Sequence, residues 1–342
     1  MKRFVTIFAL LLAPALVLGA TQQFQPQITP PLAKSAGVIN ETPNRWFVEL
    51  ASKPAVEGTS KKALNQERKA FRAAAKKAGL KYKEHFAFGK LFNGLSVTIE
   101  PRDLGKLSRI QGVKALYPVL SVPVPETLPG SSPELYTAIT MTGADIAQNE
   151  LGYTGAGIKV AVMDTGIDYD HPDLGGCFGD GCRVAYGYDF VGDDYDAGSN
   201  PVPVPDDDPD DCGGNGTHVA VIVGANGTVV GVAPDVTFGA YRVFGCTGST
   251  STDIMIAAME MALEDGMDVL NISIGSSFWS WPQYPTAAAS DRSMGAGCQP
   301  RSRLALALST LGSRVEQRTE AILKRLSRRR TKLTTSAMPA MI

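Results

Sequence analysis

Two short motifs carry side chains suited to acid–base catalysis. In the first, an apolar run that begins at Val160 ends on Asp164, just before a Thr-Gly turn. In the second, His218 follows within the segment Asn215–Ala220, 54 residues after that acid. An acid followed by a histidine is one chain order of a Ser-His-Asp triad. The order predicts Asp164 as the orienting acid and His218 as the base that takes a proton from a hydroxyl nucleophile.

A parallel sheet must position these groups. Apolar runs without strict alternation at Ile158–Met163, Val236–Phe244 and Asp268–Ile274 predict strands covered on both faces. An amphipathic segment, Thr252–Leu263, predicts a crossover helix between the last two strands. An acid at the end of such a strand lies at the carboxyl edge of the sheet, where these α/β folds place their sites. The unit spans residues 136–293.

A smaller unit precedes this sheet. Residues 44–120 alternate strand and helix signals in the order β-α-β-β-α-β, which predicts a small α+β domain of the ferredoxin-like type. One of its helices begins after Ser60 and carries a strongly basic face, which is more typical of a solvated surface than of a binding patch. The Pro-rich residues 121–135 predict a linker between the two units.

The N-terminus predicts export. Two cations precede the apolar run Phe4–Leu18, which small residues follow, so residues 1–20 are predicted to be a signal peptide and 21–43 a leader linker. No later segment is apolar enough to span a bilayer, and we expect a secreted, extracellular or cell-envelope protein. The net charge of −1 gives no indication of a nucleic-acid partner.

Export favours disulfides among the five cysteines. Cys177 and Cys182 are separated by four residues in a Gly-rich stretch, which predicts a small disulfide loop rather than a zinc site. Cys212 and Cys246 are candidates for a second bridge, and Cys298 is then left over. The loop Asp193–Asp211 contains eight aspartates. It is either a plain acidic surface loop or a calcium site, and we expect no required cofactor and no other metal.

Four segments carry a family resemblance: AVMDTGIDYDHPDL, NGTHVAVIVGANG, GVAPDVTFGAYRVF and DVLNISIGSS. They resemble the subtilisin-like serine proteases (subtilases, peptidase family S8). The smaller unit likewise resembles the inhibitor I9-type propeptide of that family, an intramolecular inhibitor and chaperone. The resemblance covers roughly residues 45 to 292 and implies a three-layer, subtilisin-like α/β fold, which is present here only in part.

The resemblance also implies site residues. Asp164 and His218 are the acid and base, and Ser273, Ile274 and Gly275 are the segment that pairs with extended peptide substrate. Protein or peptide substrates and the chain's own propeptide are the implied partners. This sequence departs from the family at position 215, where the family usually has His and this chain has Asn.

The nucleophile and the oxyanion-binding Asn of the family have no recognisable counterpart. Ser336 stands in a segment with a superficial likeness to the family's Gly-Thr-Ser-Met-Ala motif, but the Gly is missing. From Met294 to Ile342 there are ten Arg or Lys, two Glu, and no Asp or aromatic residue. This change predicts a truncated or frame-shifted product with a basic tail, residues 294–342, foreign to the fold. The alternative is a tail that forms a basic helix over Arg314–Lys332.

The sequence therefore predicts a secreted serine endopeptidase by family, in a chain that lacks its serine and is inactive. The alternative is a non-enzymatic product, in which the propeptide and half-domain act as a protease inhibitor or binding module.

Overall fold

A computed structural model describes residues 27–28, 40–125, 135–275, 283–296 and 305–307. The predicted signal peptide, the leftover Cys298 and the candidate Ser336 lie outside these residues, as does most of the basic tail. Among the residues described, no helix has the length and apolarity that crossing a bilayer requires.

The N-terminal unit has its elements in the order β-α-β-β-α-β after one short strand. They are β1 (Gln27–Ile28), β2 (Asn40–Leu50), a 3-10 helix (Ala55–Glu57), α1 (Lys61–Lys77), β3 (Tyr82–Phe88), β4 (Gly94–Ile99), a second 3-10 helix (Pro101–Asp103), α2 (Leu104–Leu107) and β5 (Val113–Pro123). Helix α1 begins where predicted, because the Ser60 hydroxyl accepts the Ala63 N–H at 3.2 Å. The assignment of this unit as a propeptide stays a prediction.

The sheet of this unit has the order β1-β5-β2-β4-β3 and is antiparallel apart from the β1–β5 pair. Side chains alternate across it. Val48 packs with Phe71 of α1, whereas its neighbour Phe47 packs with residues of the second unit. The unit therefore uses one face for its own core and the other for docking.

Strand β5 overturns one predicted boundary. The linker was expected to begin at residue 121, but residues 121–123 are strand and pair with the second unit. Proline is tolerated at position 123 because the next ladder bond to the second unit comes from the Val124 N–H, which donates to the Gly248 carbonyl at 3.0 Å.

The second unit is built on a parallel sheet. Its elements are α3 (Leu135–Thr142), α4 (Ala144–Asn149), β6 (Lys159–Asp164), a 3-10 helix (Pro172–Leu174), β7 (Val184–Asp189), α5 (Asn215–Gly224), β8 (Thr237–Arg242), β9 (Ser249–Ser251), α6 (Thr252–Glu264), β10 (Val269–Asn271), α7 (Pro285–Ala296) and β11 (Ala305–Ala307). The strand order is β11-β10-β6-β8-β7. Strand β10 ends at Asn271, earlier than the predicted Ile274.

Helices cover both faces of this sheet. Val162 of β6 lies in one buried cluster with Ala220 of α5, and Met163 lies in another with Ala258 of α6. Because consecutive strand residues face opposite ways, a fully apolar strand requires a helix on each side. The predicted three-layer arrangement is therefore present around β6.

Residues beyond 293 also contribute to the structure. Helix α7 continues to Ala296 with Ser293 fully buried, and β11 pairs in parallel with β10. Within the residues described, β11 thus covers the edge of β10. The composition predicts instead that residues 294–342 are foreign to the fold.

Candidate active site

Asp164 is the last residue of β6 and is fully buried. Its Oδ1 atom accepts two hydrogen bonds, from the Thr165 backbone N–H at 2.8 Å and from the Asn215 side-chain Nδ2 at 2.8 Å. Its Oδ2 atom is buried and has no hydrogen-bond partner in the part of the chain that the structure describes. The carboxylate therefore retains one acceptor oxygen that no described donor satisfies.

The start of α5 is held tightly against the end of β6. A Cβ atom at Gly216 would lie 3.1 Å from the Asp164 Cβ and would collide with the Gly166 carbonyl oxygen, so only glycine allows this approach. Asp211 fixes the turn before the helix. Its carboxylate accepts the Gly213 and Gly214 N–H groups at 2.8 Å, and also the N–H and hydroxyl of the following Thr217.

This placement brings Asn215, not His218, to the acid. The His218 side chain is exposed, and its imidazole makes no hydrogen bond to the residues described. The prediction that His218 pairs with Asp164 is wrong for this structure, because the first residue of α5 meets the strand end and His218 lies almost one turn further along. The signal was present in the sequence, since position 215 is where the resembled family usually has His.

Burial governs the ionisation of this acid. Desolvation raises the pKa of Asp164 from its ordinary value of 3.8 to about 6, although the hydrogen bonds from Asn215 and Thr165 favour the charged form. An amide donor neutralises no charge, so the carboxylate lacks the cation that an imidazolium would supply. As it stands, the pair cannot take a proton from a hydroxyl, because the Asn215 amide is not a base at neutral pH.

Replacing Asp164 by Asn is expected to remove a pH dependence of stability. A folded-state pKa of about 6, above the unfolded value near 4, means that the folded chain binds more protons between these values. The free energy of unfolding should then fall as pH rises from 4 to 7, by about 2 kcal/mol from this group. Urea unfolding of both chains across that range measures the difference.

The matched control is Asp180→Asn, at an exposed aspartate of the disulfide loop. It should shift stability by the same small amount at every pH. A stability difference between Asp164→Asn and the parent that stays constant from pH 4 to 7 would contradict the expectation.

The predicted substrate segment follows β10 on the same edge of the sheet as Asp164. Ser273 and Gly275 are exposed and Ile274 is buried, and the Ser273 hydroxyl donates to Asn271 Oδ1 at 2.8 Å. In the residues described, this segment pairs with no strand, and its substrate role stays a prediction. Strand β9 does pair with an extended segment, the end of β5. The sequence does not predict β9, because its three polar residues carry no periodic signal.

Both predicted cysteine pairs lie at disulfide distance. The sulfur atoms of Cys177 and Cys182 are 2.13 Å apart, and those of Cys212 and Cys246 are 2.07 Å apart. The second pair ties the end of the acidic loop to the segment after β8. It lies close to Asp211 in the chain and thus to the turn that positions α5.

The acidic loop borders a cavity of about 390 Å³ that several of its carboxylates line. The buried Arg242 guanidinium already supplies positive charge there. It lies 3.2 Å from the Asp189 carboxylate and 2.8 Å from that of Asp193. Calcium binding by the loop stays a prediction.

Comparisons with known proteins agree on one family. Residues 155–311 match the subtilase family, Peptidase S8. The minor extracellular protease Vpr of Bacillus subtilis (strain 168) is 38% identical over 275 residues, which are 78% of this chain and 32% of that protein. Subtilisin DY of Bacillus licheniformis is 37% identical over 141 residues, 40% of this chain and 43% of that protein.

Solved structures agree in fold. The epidermin leader peptide processing serine protease of Staphylococcus aureus superposes with a TM-score of 0.54 at 21% identity, over 74% of this chain and 57% of that one. This likeness confirms the predicted subtilisin-like α/β fold, and the sequence matches support a subtilisin-like serine protease. The chain spans about a third of the length of Vpr and less than half of that of subtilisin DY.

Proposed function

We propose that this chain is a precursor of a secreted, subtilisin-like serine endopeptidase that acts on proteins or peptides. Residues 44–120 are its inhibitor-type propeptide, and residues 136–293 form the first part of its catalytic domain. The family match and the protease relatives support the reaction class, and the word extracellular in the name of Vpr supports export. A purely non-enzymatic binding module is not favoured, because the matched relatives are proteases.

One observation carries the inhibitory role. The end of β5 adds to β9 as an antiparallel strand, with Ser121 opposite Ser251 and Val122 opposite Thr250. The Val124 N–H continues this ladder to the Gly248 carbonyl at 3.0 Å. An extended segment that pairs with an exposed strand through its backbone is a common mode of peptide recognition. This pairing supports the proposal that the N-terminal unit inhibits by occupying a peptide-binding strand with its own chain.

Further contacts hold the unit in place. The Glu260 carboxylate on α6 accepts the N–H groups of four consecutive residues, Gly89 to Phe92, at 2.8 to 3.4 Å. The Tyr284 hydroxyl donates to the Pro118 carbonyl at 2.9 Å. Both sets of hydrogen bonds join a side chain of the second unit to the backbone of the N-terminal unit. They therefore fix the orientation in which β5 reaches β9.

The chain of 342 residues is proposed to be catalytically silent. Asn215 is at the acid in place of a base, and the sequence offers no convincing nucleophile. Autocatalytic release of the propeptide requires an activated hydroxyl, so the N-terminal unit should stay covalently attached.

Thr250→Pro is expected to loosen β5 from β9 without disturbing the parallel sheet. Proline removes an N–H from β9 and fixes its φ angle, which should cost about 1 to 2 kcal/mol of pairing. Hydrogen exchange of the Val122 and Val124 amides should become about tenfold faster or more. The Val243 amide, bonded to the Asp164 carbonyl at 2.9 Å, reports on the sheet and should not change.

Val202→Pro is the matched control, because Val202 is exposed in a loop already flanked by prolines. It should leave the exchange of all three amides as in the parent. Unchanged protection of Val122 and Val124 in folded Thr250→Pro would contradict the proposed pairing.

A further inference from the structure

A buried polar cluster lies between the two units. The Arg45 Nε atom on β2 is 2.8 Å from the Asp253 Oδ2 atom at the start of α6, and the two side chains are 2% and 0% exposed. Ser96 of β4 donates to the same carboxylate, and Ser251 of β9 donates to its Oδ1 atom at 2.6 Å. Each unit therefore contributes one charged side chain and one hydroxyl to the buried cluster. The N-terminal unit supplies the cation, and the second unit supplies the carboxylate.

The two charges attract one another without an aligned hydrogen bond. The Arg45 Nε–H is not directed at the carboxylate, and the Nη2 atom is buried without a partner in the described part of the chain. The pair is therefore held mainly by Coulomb attraction in a site that excludes water. Removing one member of such a pair leaves a buried, uncompensated charge, which is far more costly than leaving both in place.

The aromatic contacts around the cluster carry no charge by which they could discriminate between similar partners. Around the cluster, Phe47, Phe88 and Phe92 of the N-terminal unit pack together, and Tyr284 of the second unit meets Phe47 edge-on at 6.1 Å. Apolar contacts of this kind accept any surface of similar shape. The buried charge pair adds a selectivity that these apolar contacts do not supply.

We infer that Arg45 and Asp253 form a recognition pair that makes the second unit accept its own N-terminal unit and reject similar units without a cation at position 45. The inference rests on the proposed function, in which residues 44–120 dock as an inhibitor. A unit of the same shape with an apolar residue at position 45 would bury the Asp253 carboxylate with neutral partners only, the Ser96 and Ser251 hydroxyls and the Ile254 N–H. Docking by that unit should be weaker by about a hundredfold or more.

The full chain contains its own reporters for docking. The Lys90 and Leu91 amides donate across the interface to Glu260 at 2.8 Å, so their hydrogen exchange measures separation of the units. The β2–β4 ladder, which pairs Val48 with Leu95, measures folding of the N-terminal unit itself. In Arg45→Met, we expect exchange at Lys90 and Leu91 to become about a hundredfold faster while the ladder keeps its protection.

Two further variants separate charge from packing. Arg45→Lys retains the cation and should stay closer to the parent than to Arg45→Met. Arg45→Met combined with Asp253→Asn removes both charges and should restore much of the protection that Arg45→Met alone loses. If Arg45→Met also exposes its own ladder, the double variant decides: restored protection supports the pair, and unrestored protection overturns it.

Arg72→Met is the matched control. Arg72 pairs with Glu84 at 2.6 Å on the exposed side of the N-terminal unit, so the same substitution there should leave Lys90 and Leu91 unchanged. Unchanged exchange in Arg45→Met, or additive effects in the double variant, would overturn the inference. Failure of the proposed function is distinguishable, because it would appear as unchanged Val122 protection in Thr250→Pro while these reporters still respond to Arg45→Met.

Discussion

The 342-residue chain is expected to hydrolyse peptides about a million times more slowly than a complete Ser-His-Asp enzyme. Loss of either the serine or the histidine from a working triad costs turnover on that order. Here Asn215 is hydrogen-bonded to the acid, and no serine in the sequence stands in a recognisable nucleophile motif. Hydrolysis of a fluorogenic peptide mixture measures turnover, and labelling by a fluorophosphonate probe reports whether any serine is activated.

The control for this prediction is Asp164→Asn. If the chain has no triad, removing the acid should leave both the residual hydrolysis and the absence of labelling as they are. Labelling at any serine, Ser336 included, or a drop in hydrolysis in Asp164→Asn would show that a working site exists.

Asn215→His is expected to create the acid–imidazole pair that the chain lacks. The Nδ2 atom of asparagine and the Nδ1 atom of histidine are both bonded to Cγ, so an imidazole in the same rotamer places Nδ1–H at the Asp164 Oδ1 atom. The carboxylate then favours the imidazolium and raises the pKa of the new histidine. In a proton NMR titration, the signal of the new histidine should move at a pH at least about one above the ordinary histidine value of about 6.5.

Two additional chains test the same pair. In Asn215→His combined with Asp164→Asn, the raised pKa of the new histidine should be lost, since no charge remains to favour its protonated form.

A chimera that replaces residues 294–342 with the corresponding C-terminal region of Vpr tests turnover. With His at 215 it should turn over peptides about a millionfold faster than with Asn. Equal activity of the two chimeras, or a new histidine whose pKa stays at the ordinary value, would contradict the role given to position 215.

Much of the local structure follows from sequence patterns alone. The Ser60 cap places the start of α1, and the apolar run that ends on Asp164 is a strand with its acid at the carboxyl edge. These features depend on neighbours within a few residues, so periodicity and capping preferences are sufficient to predict them. The same holds for the crossover helix, which was predicted as Thr252–Leu263 and ends one residue later.

The partner of Asp164 could not be predicted in this way. Positions 215 and 218 are three apart on one helix and therefore lie on neighbouring parts of its surface, so helical periodicity does not separate them. The choice is made by the close approach at Gly216 and by the Asp211 carboxylate that fixes the preceding turn. The close approach joins α5 to the turn after β6, a segment distant from it in the chain, so local patterns cannot report it.

The sequence by itself thus determined the element order of the N-terminal unit, the strands β6, β8 and β10 with the helix α6, the acid at the end of β6 and the family resemblance. Tertiary structure alone decided that Asn215 reaches the acid, that β5 runs on to pair with β9, and that Arg45 meets Asp253. The reason is physical. Strand pairing and buried charge pairs join residues more than a hundred positions apart, and their energy depends on the water excluded when the two units close on each other.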